Sequence, residues 1–287
     1  MARWKWFTLL GFTALTGAIW WAVFAVQGHV GTLLFIAFDV GQGDSLFFES
    51  PFGTQILVDG GPDDAVLEKL GSVMPFWDRS LDVVLLTHPD ADHITGLVEV
   101  LKRYDVGLVV ETGVLHTSGV YEEWLRVLER KNIPIAYVAE GDELIIDEHT
   151  RLSVLSPLTS PKGKEIPKTN NTSIIARLVY NDVSFLLTGD AEQDVEKILA
   201  VLSEDALDAD VLKVGHHGSK TSTSADLLAA VTPDVAVISL GKRNTYGHPH
   251  PEVIARLEEW QVPILRTDIQ GDIRLRSDGE NIWPADR

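Results

Sequence analysis

The stretch DVVLLTHPDADH, residues 82–93, decides the reading of this chain. Its first half is a continuous apolar run rich in β-branched residues, the pattern of a strand buried on both faces. Its second half sets four metal-binding side chains within six positions: His88, Asp90, Asp92 and His93. His88 and Asp90 lie two residues apart, so an extended loop turns them to one side. Asp92 and His93 stand at the start of a helix expected over 93–103 and can face a neighbouring point. Imidazole and carboxylate at this spacing suit two closely placed divalent cations, zinc or manganese. A helix N-cap would account for one aspartate but for neither histidine.

The same arrangement recurs along the chain. A strand expected over 54–59 ends in Asp59, which can orient a ligand histidine or begin a turn. One over 183–188 runs into Gly189 and Asp190, a carboxylate able to bridge two metals. One over 210–215 ends in His216 and His217; successive side chains diverge, so one is a ligand and the other meets substrate or a carboxylate. One over 235–240 opens a loop, 242–251, that carries Lys242, Arg243, Tyr246, His248 and His250. Four strands delivering His or Asp at one end is far more specific than any one of them.

Further strands are expected at 32–40, 44–49, 134–138, 143–146, 151–155, 172–180 and 262–267, and helices at 64–73, 120–131, 192–202, 223–230 and 251–260. Asp278-Gly279 centres a C-terminal hairpin. Two strand-rich stretches, each followed by helices, imply two αβ halves packed sheet on sheet.

The 287 residues contain no cysteine, which excludes a disulfide scaffold, thiolate metal sites and cysteine catalysis. A net charge of −18 is the wrong sign for binding nucleic acid by bulk electrostatics. Any such binding must rest on local groups such as Lys213, Lys220, Lys242 and Arg243, with Tyr246 for stacking. Residues 7–26 are FTLLGFTALTGAIWWAVFAV, preceded by Arg3 and Lys5. Twenty apolar residues span about 30 Å as a helix, the thickness of a hydrocarbon core. The flanking cations place the N-terminus in the cytoplasm and the remainder outside it. Residues 1–30 therefore read as a membrane anchor, with a cleaved signal peptide as the alternative, and 31–287 as one domain.

HPDADH resembles the His-x-His-x-Asp-His signature of the metallo-β-lactamase fold, with Asp90 in place of the middle histidine. Together with FDVGQGDS (38–45), ILVDGG (56–61), LLTGD (186–190), VGHHGSKTSTS (214–224) and YGHPHPEV (246–253), it is similar to the hydrolase domain of ComEC-type DNA-uptake proteins. The resemblance implies a four-layer αββα sandwich with a dinuclear metal site. It assigns His88 and Asp90 to the first metal, and Asp92, His93 and His216 (or His217) to the second, with Asp190 bridging. The fold's further histidine is missing. Asn171, in the Asn-rich stretch 170–173, is expected near the site instead, and His116 is a weak alternative ligand. Asp92, Asp190 and His248 are the catalytic candidates; Lys220, Lys242, Tyr246 and His250 are the substrate-binding ones. The implied activity is an extracytoplasmic phosphodiesterase or nuclease, with single-stranded DNA as a candidate substrate. The alternatives are a hydrolase of a small or cell-surface ester such as a phosphocholine ester, and a non-catalytic metal-stabilised module.

Overall fold

The structure is a computed structural model that describes residues 11–13, 15–17, 20, 31–202 and 204–285. Six strands come first: β1 (Leu33–Ala37), β2 (Leu46–Glu49), β3 (Gln55–Val58), β4 (Ser80–Leu85), β5 (Asp105–Glu111) and β6 (Ile135–Tyr137). Seven follow: β7 (Glu143–Ile145), β8 (Thr150–Ser156), β9 (Ile175–Tyr180), β10 (Val183–Leu187), β11 (Val211–Lys213), β12 (Val235–Ile238) and β13 (Ile264–Arg266). The terminal hairpin, β14 (Ile273–Ser277) and β15 (Ile282–Pro284), returns to pair with β1. The result is an eight-stranded sheet in the order β15-β14-β1-β2-β3-β4-β5-β6 and a seven-stranded sheet running β13 to β7.

Alternation along the strands sorts side chains between two environments. Leu33, Phe35 and Ala37 of β1 point into a core shared with Leu178, Phe185 and Leu187 of the second sheet. Leu34 and Ile36 point the other way, onto Leu97 and Leu101 of one helix, Ala91–Arg103, and Trp124 and Leu128 of another, Gly119–Lys131. The second sheet does the same with Leu186, Leu212 and Ile238, which meet helices Gln193–Leu202, Ala225–Val231 and Pro251–Glu259. Four layers follow from this sorting. Across the central core Phe185 sits 5.3 Å from Phe35 and 5.6 Å from Phe48, ring centre to ring centre. Phe185→Ala should cost about 3–5 kcal/mol, the usual range for emptying a packed aromatic site. Denaturant unfolding would measure it, and a loss under about 1 kcal/mol would mean that the sheets close over the gap.

Two sequence expectations are corrected and one strand is added. The segment 105–111, left unassigned above, is strand β5, lying parallel between β4 and β6. Its Gly107 is required by a close approach, since a Cβ there would come 2.8 Å from the Asp82 carbonyl oxygen. The strand expected over 172–180 starts at Ile175, after a 3₁₀ turn at Thr169–Thr172. The strand expected over 210–215 stops at Lys213. Among the described residues no helix is long and apolar enough to cross a membrane; the apolar span at 7–26 lies largely outside them.

Candidate metal centre

The loops beyond β3, β4, β10 and β11 meet at one end of the sandwich, where they bring Asp92, His93, Asp190 and His217 together. One ligand atom from each lies within 4.8 Å of the others. Asp59 organises one side. It adopts a left-handed conformation, φ 57°, which an L-residue holds only when its surroundings over-determine it. Its Oδ1 accepts the Thr87 amide at 2.9 Å, and its Oδ2 accepts both the Thr87 hydroxyl at 2.7 Å and His93 Nδ1 at 2.8 Å. The helix bearing His93 reaches this position because two glycines face each other. A Cβ on Gly96 would stand 1.8 Å from the Gly60 carbonyl oxygen.

These contacts settle the histidine tautomers. Thr87 gives its one hydroxyl proton to Asp59, so His88 Nδ1, 3.0 Å away, donates to the Thr87 oxygen. His93 Nδ1 donates to Asp59, and His217 Nδ1 to the Ser239 carbonyl at 3.0 Å. Each ring thereby turns its Nε2 lone pair inward, the orientation a metal ligand needs. Around Asp190, His93 Nε2 is 3.4 Å from Oδ1, and His217 Nε2 and His216 Nε2 are 3.5 and 3.7 Å from Oδ2. His217 Nε2 is also 3.2 Å from Asp92. The Nε2 atoms of His88 and His93 and Oδ1 of Asp190 are buried with no hydrogen-bond partner. Buried polar atoms are rarely left so, and two of them, His93 Nε2 and Asp190 Oδ1, face each other. The donor set fits divalent cations of the zinc or manganese type.

Of the adjacent pair, His217 joins the compact group and His216 does not. Both have left-handed backbones, φ 53° and 48°, in a tight turn that ends the short strand β11. That turn drives His217 inward to 1% exposure. His216 stays at the rim, its side chain 24% exposed. Asp90 occupies the N-cap position of the following helix without capping it by its side chain. It accepts the Thr169 hydroxyl at 2.6 Å and stands 3.8 Å from His88 Nε2. Asn171 is turned away, its Oδ1 accepting the Glu192 amide; Asn170 is the residue whose amide lies against the His216 ring. His116 bonds to Ser118 on a separate loop. His250 caps the helix Pro251–Glu259, its Nδ1 accepting the Glu252 amide. His248 faces the site, 5.8 Å from the ring of His216, and Tyr246 stacks beyond it at 5.8 Å while remaining exposed. Lys220 and Lys242 are exposed, and Lys220 lines a shallow cavity of about 370 Å³ with Lys168 and Thr221.

Sequence reasoning missed Asp44. It is buried behind His217, its Oδ1 3.2 Å from Nδ1, and pairs with Lys213 at 2.7 Å. Lys213 is therefore not a substrate contact: it is 1% exposed and also donates to the Val214 carbonyl. A lysine inside the apolar run DVLKVG was the available signal, since a buried ammonium demands a carboxylate.

Charges here are strongly coupled. Burial alone would lower His217, but Asp190, Asp44 and Asp92 outweigh it and push it up to about 10. Burial is likewise outweighed at His93, which Asp190 and Asp59 hold well above the ordinary range. Asp190 and Asp92 lie below the usual carboxylate range, as the facing histidines overcome burial. The metal-free site thus holds protons where a cation would sit. A raised histidine stabilises the fold fully below its unfolded pKa, about 6.5, and that contribution is lost as pH rises through the folded value. Metal-free protein should therefore lose melting temperature between about pH 6.5 and 10. Metal-loaded protein should change less, because bound imidazoles are already neutral. Parallel melting curves would check this, and a flat metal-free profile would refute it.

The chain belongs to the metallo-beta-lactamase superfamily, whose family model matches residues 38–242. It is 34% identical to ComE operon protein 3 of Bacillus subtilis over 256 residues, 83% of this chain and 32% of that one. It is 32% identical to Recombination protein 2 of Haemophilus influenzae over 279 residues, 94% of this chain and 30% of the relative. The chain spans about a third of the length of these curated relatives. Among solved structures, CmlA, a diiron beta-hydroxylase from Streptomyces venezuelae, superposes with a TM-score of 0.58 at 15% identity, covering 85% of this chain and 54% of that one. That likeness speaks to the fold alone.

Proposed function

We propose that this chain is a metal-dependent phosphodiesterase or nuclease whose natural substrate is single-stranded DNA, held outside the cytoplasm by residues 1–30. The observation that carries the reading is the convergence of His93 Nε2 and His217 Nε2 on the buried Asp190 carboxylate, with the unpaired buried Nε2 of His88 beside His93. A relative named Recombination protein 2 supports DNA as the polymer. In this reading His88 and Asp90 would hold one divalent cation and Asp92, His93 and His217 the other, with Asp190 serving both. Two such cations, when bound, supply an activated water and neutralise charge at phosphorus. The chain's own groups do the rest. Asp59 and Asp44 hold the His93 and His217 rings in register. His248, lowered by burial and by the charges of His217 and His216, can donate a hydrogen bond to a phosphoryl oxygen. Tyr246 offers a face for a base, and Lys242 and Lys220 offer point charges for flanking phosphates.

The test is turnover by metal-reconstituted protein of single-stranded DNA beside bis-p-nitrophenyl phosphate. The DNA reading expects faster cleavage of longer strands. Lys242→Ala should raise KM with little change in kcat and make binding less salt-dependent, since one fewer counterion is released. Turnover of the small diester with no dependence on DNA length, and an unchanged salt slope, would favour a small-ester hydrolase instead.

A further inference from the structure

The end of the sandwich opposite the metal centre carries aromatic side chains in water. Trp77 is 68% exposed, Phe76 83% and Phe52 60%. Phe76 and Trp77 stack edge to face at 4.8 Å in the loop 74–79 that leads into β4. Phe52 lies in the β2–β3 turn, and the two loops are tied by Gln55 Nε2 donating to Asp78 at 3.1 Å. The ring of Phe52 stacks on His149 at 6.2 Å, and exposed aromatics sharing one end of the domain mark a surface that meets something apolar. Of the neighbouring acids, Asp105 and Glu148 stand exposed at the rim, beside Lys131 and His149, whereas Asp78 and Asp82 are held by hydrogen bonds within the domain. Asp78 accepts from Gln55 and from Ser80, and Asp82 accepts the Gln55 amide.

This end is also where the apolar N-terminal stretch joins the domain. The Gly31 amide donates to the Pro51 carbonyl beside Phe52, and its own carbonyl accepts from the Tyr180 hydroxyl at 2.9 Å. Five residue steps separate Val26, the end of the apolar run, from Gly31. A chain reaches at most about 3.5 Å per residue, so the join lies within roughly 17 Å of that run's end. Tryptophan at such a distance matches the interfacial belt of a bilayer, and phenylalanine beside it the apolar face that interfacial segments bury.

We propose that Phe52, Phe76 and Trp77 seat this end of the domain in the lipid interface and point the metal centre away from the membrane. The proposal rests on the reading of residues 7–26 as membrane-embedded. Strand β4, at about 3.3 Å per residue, then holds His88 roughly 20 Å or more beyond that surface. The site faces polymer arriving from solvent rather than lipid headgroups.

The natural absence of cysteine makes the test direct. The full chain is reconstituted into phosphatidylcholine vesicles with a single cysteine, Pro75→Cys beside the aromatic pair or Thr117→Cys at the opposite end. Each is labelled with an environment-sensitive fluorophore and quenched by nitroxide-bearing lipid. The expected result is flotation of both proteins, with quenching at 75 at least about twofold stronger than at 117. In a Phe76→Ser, Trp77→Ser background the difference should disappear while flotation persists. Flotation with equal quenching at both positions overturns the orientation and leaves the anchor standing. Failure to float overturns the anchor reading and the proposal with it. Protection at 75 that vanishes as lipid is added in excess, at constant flotation, assigns the patch to a second copy of the chain and also overturns the proposal.

Discussion

Replacing Asp190 by alanine is expected to lower turnover by about 10²- to 10³-fold, the scale seen when a group acting directly on the reacting centre is deleted. The same change should release metal. Asp190 faces His93 through one oxygen and His217 and His216 through the other, so its loss leaves three imidazoles without the carboxylate that draws them together. It is also the main counter-charge that raises both His93 and His217. The variant's metal-free form should therefore show weaker dependence of melting temperature on pH. Elemental analysis should find well under two metals per chain, against about two in the parent, the stoichiometry of a dinuclear centre. Asp190→Ala that keeps both metals and full turnover would remove it from the centre.

Much of this centre was legible in the residues, for a physical reason. Strands buried on both faces must be apolar along their length, so a histidine or aspartate just past the run stands out. That is how His88, Asp59 and Asp190 emerge, each at the end of a run. What was not legible depends on backbone angles and on partners remote in sequence. Nothing in Gly215-His216-His217-Gly218 announces two left-handed histidines, yet those angles decide which ring enters the site. Asn170 and Asn171 differ only by the 3₁₀ turn that sends one amide to His216 and the other to Glu192. The capping role of His250 rests on a side-chain contact to the Glu252 amide that the helix expected from 251 does not by itself reveal. Strand β5 was hidden by Gly107, whose function is a close approach visible only in the folded sheet.

Asp44→Asn is expected to destabilise the protein by about 3–5 kcal/mol, because it strands a buried lysine. Lys213 and Asp44 are 1% and 2% exposed in their side chains and 2.7 Å apart. An ammonium in that setting keeps its charge only while the carboxylate faces it. Burial pushes the Asp44 carboxyl up, but Lys213, His217 and His93 outweigh it and hold it below the ordinary range. The sign of the pH effect follows. A depressed carboxylate adds stability above its unfolded pKa, about 3.9, and that stability is lost as pH falls through the folded value. Parent protein should accordingly lose the Asp44 contribution below about pH 4, whereas Asp44→Asn should lack that component of its acid profile. The pair also stands behind a ligand. Asp44 lies 3.2 Å from His217 Nδ1, so its removal should weaken binding of the cation facing His217 by about 10- to 100-fold. The double variant Asp44→Leu, Lys213→Met separates the two effects. Replacing both charges with apolar groups should recover most of the folding stability, yet the metal affinity should stay low because His217 still lacks its carboxylate. Recovery of both together would show that Asp44 acts on the fold alone and not on the orientation of the ligand.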